Sequence, residues 1–338
     1  MNTILVTGGA GYVGCVLVPK LLAAGHRVIV YDCMYFGAEG LPSHPGLEVL
    51  AADIRDTKTF ARALKGVETV IHLACISNDP SFELDPEIGK SINYDCFEPM
   101  VKACVAAGVR RFIDVSTSSV YGVSEVPDVT EEHPLVPLTD YSRYKGLCEG
   151  ILRAYQSAAF TTVIIRPATV CGYSPRMRLD LAVNLLTNHA INKRTITIFG
   201  GSQKRPNIHI DDITDLYVQL LKEPDERIAG ETFNAGYQNH AVSELAAMVK
   251  TVVEQECPAL GPIRIETTSS DDLRSYHVSS EKIGRVLGFR PRRTIEDAIR
   301  DLCRAFMAGL IPNSQDDDRY FNVRVMKNMP AHEVARLG

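Results

Sequence analysis

The sequence predicts an α/β protein: a doubly wound parallel sheet followed by a smaller C-terminal lobe. Three observations predict it. Short β-branched runs alternate with helical patterns up to about residue 167. A glycine-rich turn, Gly8-Gly9-Ala10-Gly11-Tyr12-Val13-Gly14, separates the first such run from the first helix. Beyond Pro167 the alternation lapses, and helices joined by irregular chain take over.

Taken in order, 4–7 reads as a buried strand. The helix after the glycines carries Val13, Val16, Leu17, Leu21 and Leu22 on one face, and 28–32 is a second strand ending in Asp32. A third strand covers 47–52 and ends at Asp53, and a short helix covers 57–64. Strand 69–73, helix 87–107, strand 111–116, helix 140–158 and strand 162–166 complete the series. Repeated βα units imply a parallel sheet with helices on both faces, and ligands then sit beyond the carboxyl ends of the strands. Gly8, Asp32, Asp53, Ala74, Thr117 and Pro167 occupy those ends.

After Pro167 come a loop at 171–175, a helix at 179–190, a strand at 195–199 and a glycine turn at 200–201. Helices at 211–221, 242–256, 280–287 and 294–308 follow, the last opened by Thr294-x-x-Asp297, a capping box. The expected division is therefore 1–170, a mainly substrate-binding lobe at 171–312 and a tail at 313–338. Asp316, Asp317 and Asp318 in that tail read as solvated, because no ligands are spaced to complete a metal site. No metal is expected.

Composition excludes several classes. With 338 residues, 45% hydrophobic and 23% charged, the chain has ordinary globular content. A net charge of −5 gives no reason to expect nucleic acid or an anionic membrane as partner. No apolar run reaches a membrane span, and Met1 leads directly into a strand without a signal-peptide pattern. The nine scattered cysteines, with no C-x-x-C pair, fit a reduced, cytoplasmic protein.

Glycines at 8, 11 and 14 let the backbone turn tightly and approach a pyrophosphate, while the helix N-terminus offers unpaired N–H groups. Asp32 stands where a carboxylate bonds an adenosine ribose hydroxyl and would repel a 2′-phosphate, which favours NAD over NADP. The sheet is thus of the Rossmann type, and 1–170 is the NAD-binding part. Tyr141 and Lys145, four apart, project from one helix face. An ammonium beside a phenol favours phenolate, and such a tyrosine can take a proton from an alcohol. Hydroxyls to hold the same oxygen are supplied by Ser116-Thr117-Ser118-Ser119.

These motifs resemble the extended short-chain dehydrogenase/reductases, in particular the NAD-dependent nucleotide-sugar epimerase/dehydratase group. The matching stretches are T-G-G-A-G-Y-V-G at 7–14, D-I at 53–54, H-L-A at 72–74, S-T-S-S-V-Y-G at 116–122, Y-S-R-Y-K at 141–145, R-P-A-T-V at 166–170 and I-H-I-D-D at 208–212. The resemblance implies Gly8, Gly11, Tyr12 and Val13 at the pyrophosphate, Asp32 at the ribose, and Asp53 and Ile54 at the adenine. It places Leu73, Ala74 and Cys75 along the dinucleotide, and Pro167 and Val170 near the nicotinamide. Tyr141 becomes the base, Lys145 its activator and ribose clamp, and Thr117 the partner of the substrate oxygen. Asn184 and Arg205, and more weakly Arg274, resemble positions that hold a nucleotide diphosphate. A homodimer built through helices near 88–107 and 140–158 is a further implication.

Departures narrow the reaction. In sugar 4,6-dehydratases of this group the two positions after the catalytic threonine carry an acid pair, or at least a glutamate; here they are Ser118 and Ser119. A serine hydroxyl is too weak a base to take a carbon-bound proton. What survives is 4-epimerisation, 4-oxidation or 4-keto reduction of a nucleotide-diphosphate sugar, with Ser118 and Ser119 lining its site. A 4,6-dehydratase with an unusual base and an NAD-sensing regulator are the alternatives. Among other polar residues, Asp211 and Asp212 read as helix caps, His72 as a buried hydrogen-bonded histidine and Tyr144 as packing. Arg176 and Arg178 could touch substrate, although loop charges are more often solvated.

Overall fold

A computed structural model describes residues 2–124, 126, 128–269 and 277–328. Seven parallel strands form the central sheet. In chain order they are β1 (Thr3–Thr7), β2 (Arg27–Asp32), β3 (Leu47–Ala51), β4 (Thr69–His72), β5 (Arg111–Val115), β6 (Thr161–Pro167) and, after three strands of the second lobe, β10 (Glu231–Ala235). The spatial order is β10-β6-β5-β4-β1-β2-β3, with β1 between β2 and β4 (Val6 opposite Val30 and Ile71). The order reverses at β1, which opens a crevice at its carboxyl end.

The two-residue period of β1 serves both faces. Ile4 and Val6 point to a core shared with Leu17, Val18 and Leu21 of helix Gly14–Ala23 and with Ile213, Leu216 and Tyr217 of helix Ile210–Leu220. Leu5 points the other way, towards Phe60, Phe97, Met100, Cys104, Cys148 and Leu152. Those residues belong to helices Thr57–Ala63, Phe97–Ala106 and Asp140–Ala154 or lie beside them. The expected helix 87–107 is interrupted: Pro86–Lys90 passes through a widened turn, Ser91–Asp95, before Phe97–Ala106.

The second lobe packs helices Ala182–Lys193, Val242–Glu256 and Ile295–Met307 around Val183, Leu245, Val249, Ile299 and Cys303. Beside it run β8 (Thr195–Phe199) paired with β12 (Arg264–Thr268), and β7 (Thr169–Cys171), β9 (Lys204–His209) and β11 (Gln238–Ala241) in a three-stranded sheet. The capping box at Thr294 forms as expected: Asp297 N donates to Thr294 Oγ1 at 3.3 Å and Thr294 N to Asp297 Oδ2 at 2.9 Å.

Two boundaries differ from expectation. Residues 231–235, assigned to the second lobe, return to pair with β6 (Phe233 opposite Ile165). Residues 313–328, expected as a solvated tail, pack back onto the molecule. Ser314 is buried with its Oγ donating to Asn188 Oδ1 at 2.8 Å, and helix Asn322–Asn328 ends against the crevice. Asp317 caps the turn Asp318–Tyr320 and pairs with Arg319 at 2.7 Å. Among the described residues no helix is long and apolar enough to cross a membrane.

Candidate active site

A cavity of about 350 Å³ fills the crevice. Its floor is the glycine turn. Gly8 has a φ of +68°, and a Cβ there would lie 2.7 Å from Ala74 N, so only glycine lets β1 turn beside the end of β4. A Cβ on Gly14 would run into the Gly9 carbonyl. Asp32 closes β2, accepting from Ala10 N at 3.0 Å and Met34 N at 2.8 Å. Burial pushes its carboxyl up, while those two N–H donors pull it down. Met34 itself holds a φ of +60°, unusual without glycine. Asp53 is gripped by Arg55, with Nη2 2.6 Å from Oδ2 and Nε 3.1 Å from Oδ1.

A second wall comes from the end of β5 and helix Asp140–Ala154. Thr139 caps that helix reciprocally with Ser142, which sets its first turn and so the position of Tyr141. Thr117, Ser118, Ser119 and Tyr141 all line the cavity; Lys145 is buried behind them. Burial raises the Tyr141 phenol above its ordinary range and Cys75 adds to the rise, while Lys145 opposes it. The expected net lowering by Lys145 is therefore outweighed by burial. For Lys145, burial acts against the charge, but Asp114, Cys75 and Tyr141 more than compensate, and the ammonium is held above its ordinary range. Asp114 lies on β5 with neither carboxylate oxygen hydrogen-bonded; burial pushes it up to about 6 and Lys145 opposes this.

A buried network braces this wall. Ser116 Oγ donates to Glu149 Oε1 at 2.6 Å, and Arg166 meets Glu149 through Nε at 2.9 Å and Nη2 at 2.6 Å. Arg166 Nη1 also donates to the Tyr121 hydroxyl at 2.6 Å, which donates to Asn234 Oδ1 at 2.7 Å.

Every residue assigned to the dinucleotide lines this cavity except Lys145: Gly8, Gly11, Tyr12, Val13, Asp32, Asp53, Ile54, Leu73, Ala74, Cys75, Tyr141, Pro167 and Val170. The diphosphate positions fare differently. Asn184 is fully buried outside the cavity lining; Oδ1 accepts from Gly172 N at 3.0 Å, and Nδ2 donates to Tyr12 Oη at 3.1 Å and Arg178 O at 3.0 Å. Its polar atoms are engaged in bracing the loop against Gly172, Tyr12 and Arg178. Arg205 lies in β9 opposite His240, away from the cavity, its Nη1 donating to Lys204 O at 3.0 Å. Arg274 falls outside the described residues.

His72 bonds Thr7 Oγ1 at 2.7 Å, and burial, then Lys145, hold it well below the usual imidazole range. Tyr144 stacks against Tyr94 and Phe82. The caps are rearranged: His209 Nδ1 accepts from Asp211 N at 3.1 Å, while Asp212 holds Arg293 at 2.7 Å and Asp211 holds Lys20 at 2.8 Å. Arg176 and Arg178 are buried and line the cavity, not solvated. Ser77, Asn78, Asp79, Asn322 and Met326 join the wall without having been expected there. Asn78 announces itself only as an N-cap before Asp-Pro. Asn322 and Met326 carry no local signal.

Residues 4–236 match the model of the NAD dependent epimerase/dehydratase family. The chain belongs to that family. Within it, a UDP-glucose 4-epimerase of Mycolicibacterium smegmatis is 31% identical over 307 residues, 87% of this chain and 95% of that one. The structure of DesIV, a dTDP-glucose 4,6-dehydratase from Streptomyces venezuelae with NAD and TYD bound, is 25% identical with a TM-score of 0.80, covering 90% of this chain and 97% of that one. A UDP-glucuronic acid 4-epimerase from Bacillus cereus, in complex with UDP-glucuronic acid and NAD, is also 25% identical with a TM-score of 0.80, covering 90% and 99%. Against an uncharacterized protein of Sinorhizobium fredii, 33% identical over 215 residues, the chain spans 52% of that protein's length. The protein is an NAD-dependent enzyme of this family, and the cavity suits the cofactor. The glycine turn admits backbone where a Cβ would block it, and Asp32 lines the same cavity at the end of β2.

Proposed function

We propose that the protein is a nucleotide-sugar 4-epimerase, or failing that a 4-dehydrogenase, acting on a nucleotide-diphosphate sugar. One observation carries the reading. Thr117 and Tyr141 face one cavity whose next two wall positions, Ser118 and Ser119, present hydroxyls and not carboxylates. The cavity lined by Gly8, Gly11 and Asp32 would hold NAD, which would supply a reversible hydride acceptor for the sugar's C4. The chain's own residues handle the oxygen. Thr117 Oγ1 hydrogen-bonds the 4-oxygen, and Tyr141 takes its proton. The buried Lys145 ammonium stabilises the phenolate that forms, with Asp114 keeping that ammonium charged. Ser118 and Ser119 bind sugar hydroxyls but leave carbon-bound protons in place.

A second reading, a 4,6-dehydratase with an unusual base, has Asp79 in its favour. That carboxylate lines the same cavity, accepts from Thr139 Oγ1 at 2.6 Å and raises the Tyr141 phenol. Mass spectrometry of products from a panel of nucleotide sugars separates the two. Unchanged mass with a new chromatographic peak supports the epimerase, and loss of two hydrogens the dehydrogenase. Loss of one water overturns both and supports the dehydratase, with Asp79 the candidate base for substitution.

The nine cysteines, all present as thiols, support a cytoplasmic enzyme. A homodimer through helices Phe97–Ala106 and Asp140–Ala154 is part of the same proposal, and those helices carry exposed Val105 and Leu147. A monomeric mass by light scattering would contradict it.

A further inference from the structure

Arg176 holds a buried charge that the carboxylates of Asp180 and Asp32 offset only in part. It lies in the loop after β7, is 7% exposed, and rests on the face of Phe36 with its guanidinium carbon 3.7 Å from the ring centre. Nη2 donates to Asn322 Oδ1 at 2.6 Å, and Nε is buried without a hydrogen-bond partner. Among the described residues it makes no ion pair, whereas its neighbour Arg178 is held by Asp180 at 2.9 Å. Burial, then Arg178, push the Arg176 guanidinium down to about 9, with Asp180 and Asp32 opposing the fall. A guanidinium kept in such a place costs stability unless an anion comes to meet it.

The surroundings indicate which anion. The Arg176 loop is fastened to the glycine turn: Ser174 Oγ donates to Tyr12 O at 2.7 Å, and Tyr12 Oη donates to Gly172 O at 2.7 Å. Phe36 belongs to the segment that follows Asp32. The guanidinium thus lines the cavity on a wall shared by the turn and the end of β2. Asn322 arrives from the C-terminal helix and is itself fixed, with Nδ2 donating to Ser77 Oγ at 3.1 Å and its backbone N to Asp180 Oδ2 at 3.2 Å. An amide oxygen orients a guanidinium without cancelling its charge. A carboxylate there would do both.

We infer that Arg176, aimed by Asn322 and backed by Phe36, clamps a phosphate group of the bound dinucleotide, which makes the C-terminal segment part of the cofactor site. The inference rests on NAD as the cofactor. Its consequence is slow cofactor release, which suits a reaction that restores its own oxidised cofactor on each turnover. A dehydrogenase must instead discharge reduced cofactor.

The test is calorimetric titration of the full-length protein, freed of nucleotide, with NAD, NADP and UDP in turn. Arg176→Met is expected to weaken NAD binding by about 10- to 100-fold, the range for a charge-assisted hydrogen bond. Asn322→Asp is expected to weaken it in the same direction, because the new carboxylate captures the guanidinium while the shape is kept. Loss for NAD and NADP alike places the contact at the pyrophosphate. That outcome supports the clamp, whereas loss confined to NADP places the contact at a 2′-phosphate that NAD lacks and overturns it. Unchanged dinucleotide affinity in Asn322→Asp and in a folded Arg176→Met overturns it. So does a loss confined to UDP, which would give Arg176 to the substrate. Absence of NAD binding by the unaltered protein would overturn the cofactor assignment, and the clamp with it.

Discussion

Replacing Arg166 by methionine tests how the cavity wall that carries Thr117 and Tyr141 is braced. Glu149 has no exposed side-chain surface and receives Arg166 through two nitrogens, at 2.9 and 2.6 Å. Breaking a buried pair by removing one partner costs roughly 3–5 kcal/mol, mostly the penalty of an unanswered charge. Here Arg153 remains, 3.0 Å from Oε2 but 42% exposed, so the loss should fall near the lower end, about 3 kcal/mol. Removing both partners in Arg166→Met/Glu149→Leu eliminates the stranded charge and leaves Ser116 without its acceptor, a smaller cost of about 1–3 kcal/mol. The expected order of stability is therefore wild type, double variant, single variant. Urea unfolding at pH 7.5, with cofactor content held constant, reads it directly. A single variant within about 1 kcal/mol of wild type, or a double variant no better than the single, would refute the account of Glu149 as a buried charge that depends on Arg166.

Other outcomes follow from the same geometry. Tyr141→Phe should lower turnover by about 10²- to 10⁴-fold with NAD still bound; loss of NAD binding with turnover preserved would contradict its role. Asp32→Ala should reduce the preference for NAD over NADP in cofactor titrations, since the group that repels a 2′-phosphate is gone. Gly14→Ala should destabilise by about 1–3 kcal/mol in thermal unfolding, because the new Cβ meets the Gly9 carbonyl. Asp114, pushed up from 3.8 to about 6, binds its proton more tightly when folded, so its contribution to stability falls as pH rises from about 4 to 6. The loss is about 3 kcal/mol, and Asp114→Asn should remove that slope relative to wild type in unfolding measured from pH 4 to 7.

The sheet through β6 was legible because its strands are apolar and β-branched and its helices carry one-sided stripes, so local pattern and tertiary role agree. The glycine turn, Asp32 and the Tyr141–Lys145 pair were legible for a similar reason: each depends on spacing within one element. β9 was not, since Lys204, Arg205, Pro206 and Asn207 read as loop and only pairing with β7 and β11 makes them a strand. Asn184 shows the limit of motif transfer. Its position along the chain matched a ligand, but its amide is consumed by Gly172, Tyr12 and Arg178. Tyr141 shows another, for adjacency to Lys145 was visible and the burial that outweighs it was not. Asn322 meets Ser77 across 245 residues of chain, a distance at which no periodicity speaks.

The return of β10 to the sheet bears on how the molecule is made. The outer edge of β6 stays open, its backbone groups unpaired, until residues 231–235 have left the ribosome. Everything between 171 and 230 must therefore be synthesised before the sheet can close, and the loop that closes it is long. A nascent chain halted before that point would expose an apolar strand, Val163-Ile164-Ile165, to its neighbours. The two lobes are consequently interleaved and not strung in series, and neither could be exchanged between relatives by a single crossover at residue 170.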